Sequence, residues 1–217
     1  GADGARRGLA LVGGGAFEGR SVLLKPNFNS ADVTPGSTHP DVLRTRVAWL
    51  KERGVTDITV GDRSGMGNTR QVMQSLGVFG LADELGFRAV VFDELPAEEW
   101  AVIQSPGDHW SRGFAVPKLL TNAGAVVQAC NLKTHRFGGH FTLSLKNSVG
   151  FAAKQIPGQS YNYMSELHSS RDQRRMIAEI NRTYQPALVV MDAVEAFADG
   201  GPDRGRIIQP EIGRAHV

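Results

Sequence analysis

Short apolar runs alternate with amphipathic stretches along most of the chain. Apolar runs rich in valine, leucine and isoleucine predict strands at residues 21–25, 56–62, 87–93, 125–130 and 186–193. Apolar residues at helical spacing predict helices at residues 39–54, 69–77, 78–86, 116–124 and 171–184. The run AVIQS at 101–105 is a candidate edge strand. Strands that alternate with helices are typical of a mostly parallel sheet with helices on both faces.

The number of strands favours an open sheet over a closed barrel. About five strands are predicted, too few for eightfold closure, so the expected arrangement is a Rossmann-like, doubly wound α/β fold. The glycine-rich stretch GGGAF at 13–17 is not the dinucleotide-binding fingerprint, because it precedes the first strand instead of following it. The helix at 39–54 is expected to begin at a Thr38 cap, with Pro40 in its first turn, and to end at Gly54.

Composition and charge exclude some classes of protein. The net charge is +2, from 24 basic and 22 acidic residues among 217, which gives no support for binding to nucleic acid or to a membrane surface. The chain contains no run of 18 apolar residues, so no membrane span is predicted. Cys130 is the sole cysteine, so a disulfide or an iron–sulfur cluster cannot form within this chain, and we interpret it as a small buried residue.

The two ends of the chain suggest a fragment. There is no initiating methionine and no signal peptide, so no compartment follows from the sequence. The sequence does not give an oligomeric state either. Residues 1–210 are expected to form a single α/β domain, cut at both ends from a longer protein. The final residues IGRAHV match the translation of a common sequencing-adapter sequence, so residues 211–217 are predicted to be a non-native tail.

Polar residues follow almost every predicted strand. Because ligands bind beyond the carboxyl ends of the strands in such sheets, these residues are expected to converge on one ligand site. The residues at the strand ends are Lys25, Asn27, Asp62, Asp93, Glu94, Asn131, Lys133, His135 and Asp192.

Lysines make an anion the expected ligand. Lys25, Lys133 and Lys146 are three of the six lysines, and each is flanked by apolar or small residues. Burial lowers the pKa of a lysine and strengthens its attraction to an anion. Glycines at 138, 139 and 150 would let backbone amides approach a phosphate or carboxylate. The alternative is that these lysines form structural ion pairs with Asp62 or Asp192.

Other catalytic and metal-binding patterns are weak. His39, His135, His140 and His168 could ligate a metal with Asp62 or Asp192, but no HExxH spacing is present and nearby lysines disfavour a cation, so no metal site is assigned. Neither GxSxG nor a Walker loop is present. The loop GDRSGMGNTR at 61–70 either wraps a phosphate, with Thr69 near a helix start, or is a plain loop.

Six short motifs occur in an order that resembles one family. They are KPN at 25–27, STHP at 37–40, VGD at 60–62, LKTH at 132–135, SLKN before Gly150, and DA at 192–193 before GGP and Gly205. Together, over about residues 20–208, they resemble the domain of unknown function 362 family. The resemblance implies no established activity. Some members carry a ferredoxin-type module with cysteine-ligated clusters, for which this chain lacks the ligands, and many look exported.

The motifs fall on the strand-end residues, and together they give a hypothesis for the site. The stretch LKTHRFGGHFTLSLKN at 132–147 is expected to leave a strand, turn at Gly138 and Gly139, and re-enter as a helix. The predicted catalytic residues are His39, His135, Lys133 and Asp62, and the predicted ligand-binding residues are Lys25, Asn27, Thr38, Lys146, Asn147 and Asp192. Histidine would transfer protons, lysine would hold negative charge, and Asp62 or Asp192 would orient a partner.

Three functions remain open from the sequence. The first is an enzyme that acts on a phosphorylated or carboxylated small molecule. The second is a redox protein whose iron–sulfur module lies outside this chain. The third is a non-catalytic domain that binds an anion.

Overall fold

A computed structural model describes residues 2–11, 17–137 and 140–210, together with the backbone of 214–216. The strands are β1 (Val22–Lys25), β2 (Ile58–Asp62), β3 (Arg88–Val91), β4 (Trp100–Ile103), β5 (Phe114–Pro117), β6 (Ala125–Thr134), β7 (Phe141–Thr142), β8 (Leu188–Phe197), β9 (Ile207–Ile208) and β10 (Arg214–His216). The α-helices are α1 (Ala2–Leu11), α2 (Pro40–Lys51), α3 (Thr69–Ser75), α4 (Val78–Leu85), α5 (Lys118–Thr121), α6 (Ser144–Asn147), α7 (Tyr163–Ser169) and α8 (Gln173–Asn181).

The sheet is doubly wound, as the sequence predicts. Among the described residues it has eight strands in the order β10-β8-β6-β1-β2-β3, with β7 and β9 added beside β6 and β8. The pairs β1–β2, β2–β3, β1–β6 and β6–β8 are parallel. The chain runs outward from β1 to β3 and then returns to place β6 on the other side of β1. The carboxyl ends of β1 and β6 therefore border the switch point at which such folds bind ligands.

Both faces of the sheet are covered, because alternate residues of each strand point to opposite sides. Val22 and Leu24 belong to one hydrophobic core, with apolar side chains of α2, α3 and α4. Leu23 belongs to a second core, with side chains of α5, α7 and α8. None of the helices that the structure describes is both long and apolar enough to span a bilayer.

Some predicted boundaries are wrong. The third strand ends at Val91, and Phe92–Glu94 forms a 3₁₀ turn instead. The predicted helix at 116–124 begins as β5, which pairs with β4 in a separate two-stranded sheet, and only its second part is helical. The last strands are longer than predicted, since β6 continues to Thr134 and β8 to Phe197.

The cap of α2 also differs from the prediction. His39, and not Thr38, is the N-cap, and its Nδ1 accepts a hydrogen bond from the Asp41 backbone N–H at 3.1 Å. Pro40 occupies the first turn as expected. Residues 214–216 pair antiparallel with β8, within the segment predicted to be a non-native tail, and that prediction stays untested.

Candidate functional site

A cavity of about 260 Å³ lies at the carboxyl ends of β1, β2 and β6. We call it the cationic cavity, because its charged lining is mostly basic. The ionisable side chains in its lining are Lys25, Asp62, Arg63, Lys133, His135, Lys146 and His168. The structure therefore brings together side chains from the ends of three different strands and from the segment that follows β6.

Lys25 and Asp62 form a buried ion pair across the ends of β1 and β2. Lys25 Nζ lies 2.7 Å from Asp62 Oδ1, and the Lys25 side chain is only 1% exposed. The same amine donates to the Pro26 carbonyl at 2.7 Å and to Asn147 Oδ1 at 3.3 Å. Burial lowers the pKa of Lys25 and raises the pKa of Asp62, and the attraction between the two charges opposes both shifts. The ion-pair alternative is thus correct for this lysine.

Asp62 also fixes the loops on either side of it. Its Oδ2 accepts the Phe28 backbone N–H at 2.7 Å, and its Oδ1 accepts the Arg63 N–H at 2.6 Å. Gly150 packs directly onto the pair, since a Cβ there would lie 2.6 Å from Lys25 Nζ and would overlap Asp62 Oδ1. Gly150 is therefore required by a close approach of side chains.

Lys133 is buried but has no carboxylate partner among the described residues. Its Nζ donates to the backbone carbonyls of Gly36 at 2.6 Å and Pro202 at 3.0 Å. Burial, with a smaller contribution from the charge of Lys146, lowers the pKa of Lys133 to about 7. An ammonium group has three donors, so one N–H remains after these two bonds.

Lys146 lies on α6 and is partly exposed to the cavity. No hydrogen bond or ion pair joins its amine to another residue in the part of the chain that the structure describes. Burial, with a smaller contribution from the nearby Arg63 guanidinium, lowers its pKa to about 8. Lys146 is therefore a desolvated cation that faces a cavity without a counter-charge.

His135 is neutral near pH 7. Burial and the charge of Lys146 lower its pKa to about 4. Its Nδ1 accepts the Phe137 backbone N–H at 3.2 Å. The neutral ring therefore carries its proton on Nε2, which makes His135 a hydrogen-bond donor.

The amide side chains connect the strand ends. Asn147 Nδ2 donates to Gln128 Oε1 at 2.7 Å, which ties α6 to β6. Asn27 Nδ2 donates to Asn131 Oδ1 at 3.2 Å, which ties the segment after β1 to β6. Thr38 is buried and accepts the Asn27 backbone N–H at 2.9 Å, so it holds Asn27 in place without lining the cavity.

His39 and Asp192 also lie outside the lining of this cavity. His39 is half exposed and caps α2, which is why the expectation that it faces the pocket is wrong. Asp192 lies on the same face of β8 as Leu188 and Val190, and that face packs on α2. There it adjoins the buried Arg46, whose pKa burial lowers to about 10 against the opposing charge of Asp192.

The sequence prediction did not assign two basic residues of the lining, Arg63 and His168, to the anion site. Arg63 directly follows β2 and is buried, with Nε donating to the Ala152 carbonyl at 3.0 Å and a second nitrogen bonded to the Val149 carbonyl. Its position at a strand end was the available signal. His168 lies on α7, where Nδ1 donates to the Met164 carbonyl at 2.6 Å, so Nε2 of the neutral ring keeps its lone pair.

The glycine-rich loop after β2 contributes Arg63, Gly65 and Met66 to the lining. Thr69 does not contribute, because it is buried between the Ser64 backbone N–H and Asp93. The predicted turn at Gly138 and Gly139 lies outside the described residues. Within the described residues, no group of three histidine, cysteine or acidic side chains is placed to hold a metal ion.

The fold and the cavity define a class of protein, a doubly wound α/β protein with a cation-lined cavity at its switch point. Comparison with family models then gives the family. The model of the family described as Domain of unknown function (DUF362) matches residues 22–215, and the chain belongs to this family. A search of curated proteins found no match to the chain.

One similar solved structure is the lactate racemase apoprotein from Thermoanaerobacterium thermosaccharolyticum. The TM-score is 0.63 at 18% sequence identity, and the alignment covers 99% of this chain. It covers 51% of the racemase chain, so this chain spans about half the length of that protein. At this identity the likeness concerns the fold.

Proposed function

We propose that this protein binds a phosphorylated or carboxylated small molecule in the cationic cavity. The observation that carries the proposal is the unequal pairing of the lysines. Lys25 has Asp62 as its counter-ion, whereas Lys133 and Lys146 have none among the described residues. A desolvated cation without a counter-charge is costly, and a bound anion would supply that charge.

The donors in the cavity suit an anion with several oxygens. Lys133 has one N–H left after its two backbone bonds, Lys146 has three, and neutral His135 has Nε2–H. Phosphate and carboxylate oxygens accept such bonds, and bonds between ionic partners are roughly twice as strong as neutral ones. Cation binding is disfavoured by the same donors.

Proton transfer is the catalytic step that these groups would support. His168 Nδ1 donates to a backbone carbonyl, which leaves Nε2 as the ring nitrogen that would accept a proton, and Lys133, with a pKa of about 7, can change protonation near neutral pH. We therefore assign the role of base to His168 in place of His39, and a hydrogen-bonding role to His135. Lys146 would hold negative charge that develops on the ligand.

The test is a thermal-shift screen with phosphate, pyrophosphate, citrate and both enantiomers of lactate. Lactate enters the panel because a protein of similar fold is a lactate racemase. At least one anion should raise the melting temperature of the wild type, since a ligand at 100 times its Kd stabilises by about 2.7 kcal/mol. The shift should be lost in Lys146→Gln and kept in Lys51→Gln, a matched control at an exposed position of α2.

Two results would contradict the proposal. One is the absence of a shift with every anion of the panel. The other is an equal shift in Lys146→Gln and in the Lys51→Gln control.

A further inference from the structure

A second cavity adjoins the cationic cavity, and its lining is largely apolar. It has a volume of about 370 Å³ and is lined by Phe137, Phe141, Leu143, Leu145 and Ile177, with Gln173 and Arg174 among its polar residues. We call it the apolar groove. His135, Phe137 and Lys146 line both cavities, so the two are continuous at these residues.

The boundary between the cavities follows from local structure. On β7, Thr142 lines the cationic cavity and its neighbour Phe141 lines the groove, as expected of successive residues in a strand. On α6, Asn147 lines the cationic cavity while Leu145 lines the groove. One short segment thus presents polar groups to one cavity and apolar groups to the other.

The apolar side chains of the groove are unusually exposed. Phe137, Phe141 and Leu145 are 56%, 69% and 61% exposed. Together with Met66, which lines the cationic cavity, they are four of the nine exposed large hydrophobic residues in the described part of the chain. Single exposed apolar residues need no explanation, but a cluster beside a binding cavity indicates a surface that is covered in use.

We propose that the ligand is amphiphilic, with its anionic group in the cationic cavity and an alkyl chain in the apolar groove. This inference rests on the proposed function, because the anionic group in the cationic cavity determines where the alkyl chain of the ligand begins. Continuity of the two cavities at Lys146 favours one ligand that occupies both over a separate partner on the groove. Pockets that combine a few charged groups with an apolar wall bind such molecules.

The test uses two homologous series measured by calorimetry below their micelle concentrations. One runs from methyl phosphate to octyl phosphate, and the other from acetate to octanoate. Each added methylene that enters the groove should tighten binding about threefold to fourfold, until the groove is filled. Methyl phosphate and acetate, which are too short to reach the groove, serve as the reference compounds for every variant.

Phe141→Ser and Leu145→Ser should each weaken the dependence of binding affinity on the length of the ligand's alkyl chain. Both side chains are mostly exposed, so the fold does not depend on them. Val102→Ser is the matched control, because Val102 is 52% exposed on β4 and lines neither cavity. In this control the dependence on chain length should be that of the wild type.

The outcomes separate the two proposals. If neither reference compound binds, the proposed function fails and this inference fails with it. If a reference compound binds but affinity does not depend on chain length, the anion site stands and the amphiphilic ligand is overturned. It is also overturned if the control loses the dependence, or if sedimentation shows a dimer that Phe141→Ser dissociates, since the groove would then be covered by a second copy.

Discussion

The two halves of the cationic cavity differ in whether a buried lysine has a carboxylate counter-ion. In the half formed by β1 and β2, Lys25 is neutralised by Asp62, and Gly150 packs directly onto the pair. In the half formed by β6 and α6, Lys133 has only backbone carbonyls as partners, and Lys146 makes no hydrogen bond or ion pair with another described residue. We refer to these as the paired half and the open half.

The difference shows what each half does. A buried ion pair with every oxygen bonded fixes the geometry of the strand ends, and its loss is expensive because it leaves a charge uncompensated. Cations without a counter-ion add nothing to the stability of the empty protein. The open half is therefore the part of the cavity in which a ligand charge would have the largest effect.

The largest expected effect is a loss of stability when the ion pair of the paired half is broken. Asp62→Asn leaves Lys25 buried without a counter-ion and should lower the free energy of unfolding by about 3–5 kcal/mol. Urea denaturation measures the change. Glu84→Gln is the control, because Glu84 pairs with Arg44 at the surface, and its midpoint should remain close to that of the wild type. Equal stability of the two variants would contradict a structural role for the pair.

A smaller loss of stability is expected when a larger side chain at position 150 crowds the ion pair of the paired half. Gly150→Ala places a methyl group against Lys25 and Asp62, and overpacking of this kind costs about 1–3 kcal/mol. Gly80→Ala is the matched control on the exposed side of α4, where no atom lies within 4 Å of the new methyl group. It should raise stability by about 0.5–1 kcal/mol, because alanine favours the helix more than glycine does. The paired half is not tightly packed if both variants behave alike in thermal denaturation.

The open half predicts opposite effects of pH on stability and on binding. The pKa values of Lys133 and Lys146 are about 7 and about 8 in the folded protein, and both lie below that of a free lysine. As pH rises from 7 towards 10, the folded protein releases protons that the unfolded chain keeps, so stability rises. Anion affinity should fall over the same range, by at most about tenfold per pH unit for each amine that must be charged.

Denaturation and calorimetry at pH 6.5, 7.5 and 8.5 measure the two trends. Lys133→Met removes one of the two amines, so it should reduce both slopes. An affinity that rises with pH in the wild type would exclude the amines as the anion's partners.

The smallest expected effect concerns a residue outside both halves. His39→Ala removes the side-chain cap of α2 and should cost about 1 kcal/mol or less. Anion affinity should not change, because His39 does not line the cavity. If anion affinity falls by more, in free energy, than stability does, His39 contacts the bound anion and belongs to the site.

The fold and much of the site could be predicted because both follow from periodicity. Parallel strands end at the same edge of the sheet, so Lys25, Asp62 and Lys133 converge whatever the loops do. Periodicity does not separate Asp192 from Asp62. Asp192 lies two and four residues after Val190 and Leu188, and Asp62 stands in the same relation to Val60 and Ile58, but only Asp62 lines the cavity.

The rest of the site depends on the path of loops and short helices, which periodicity does not determine. The neutral donor role of His135 depends on a backbone N–H two residues further on, and the free lone pair of His168 depends on a carbonyl of its own helix. His39 resembles a site residue in sequence because it belongs to the STHP motif, but in the structure it is the N-cap of α2. Such assignments need hydrogen-bond partners, and a pattern of residue types does not supply them.

The charge of Lys146 is the feature on which anion binding in the open half depends most directly. Its pKa can be measured by NMR of protein labelled at the lysine ε-carbons, with each of the six signals assigned by substitution. We predict a pKa of about 8 in the free protein. An anion that raises the melting temperature in the thermal-shift screen should also raise the pKa of Lys146 when it binds, because the anion favours the charged amine. A Lys146 that titrates like a free lysine, or that does not respond to any bound anion, would contradict an open half that is built to receive negative charge.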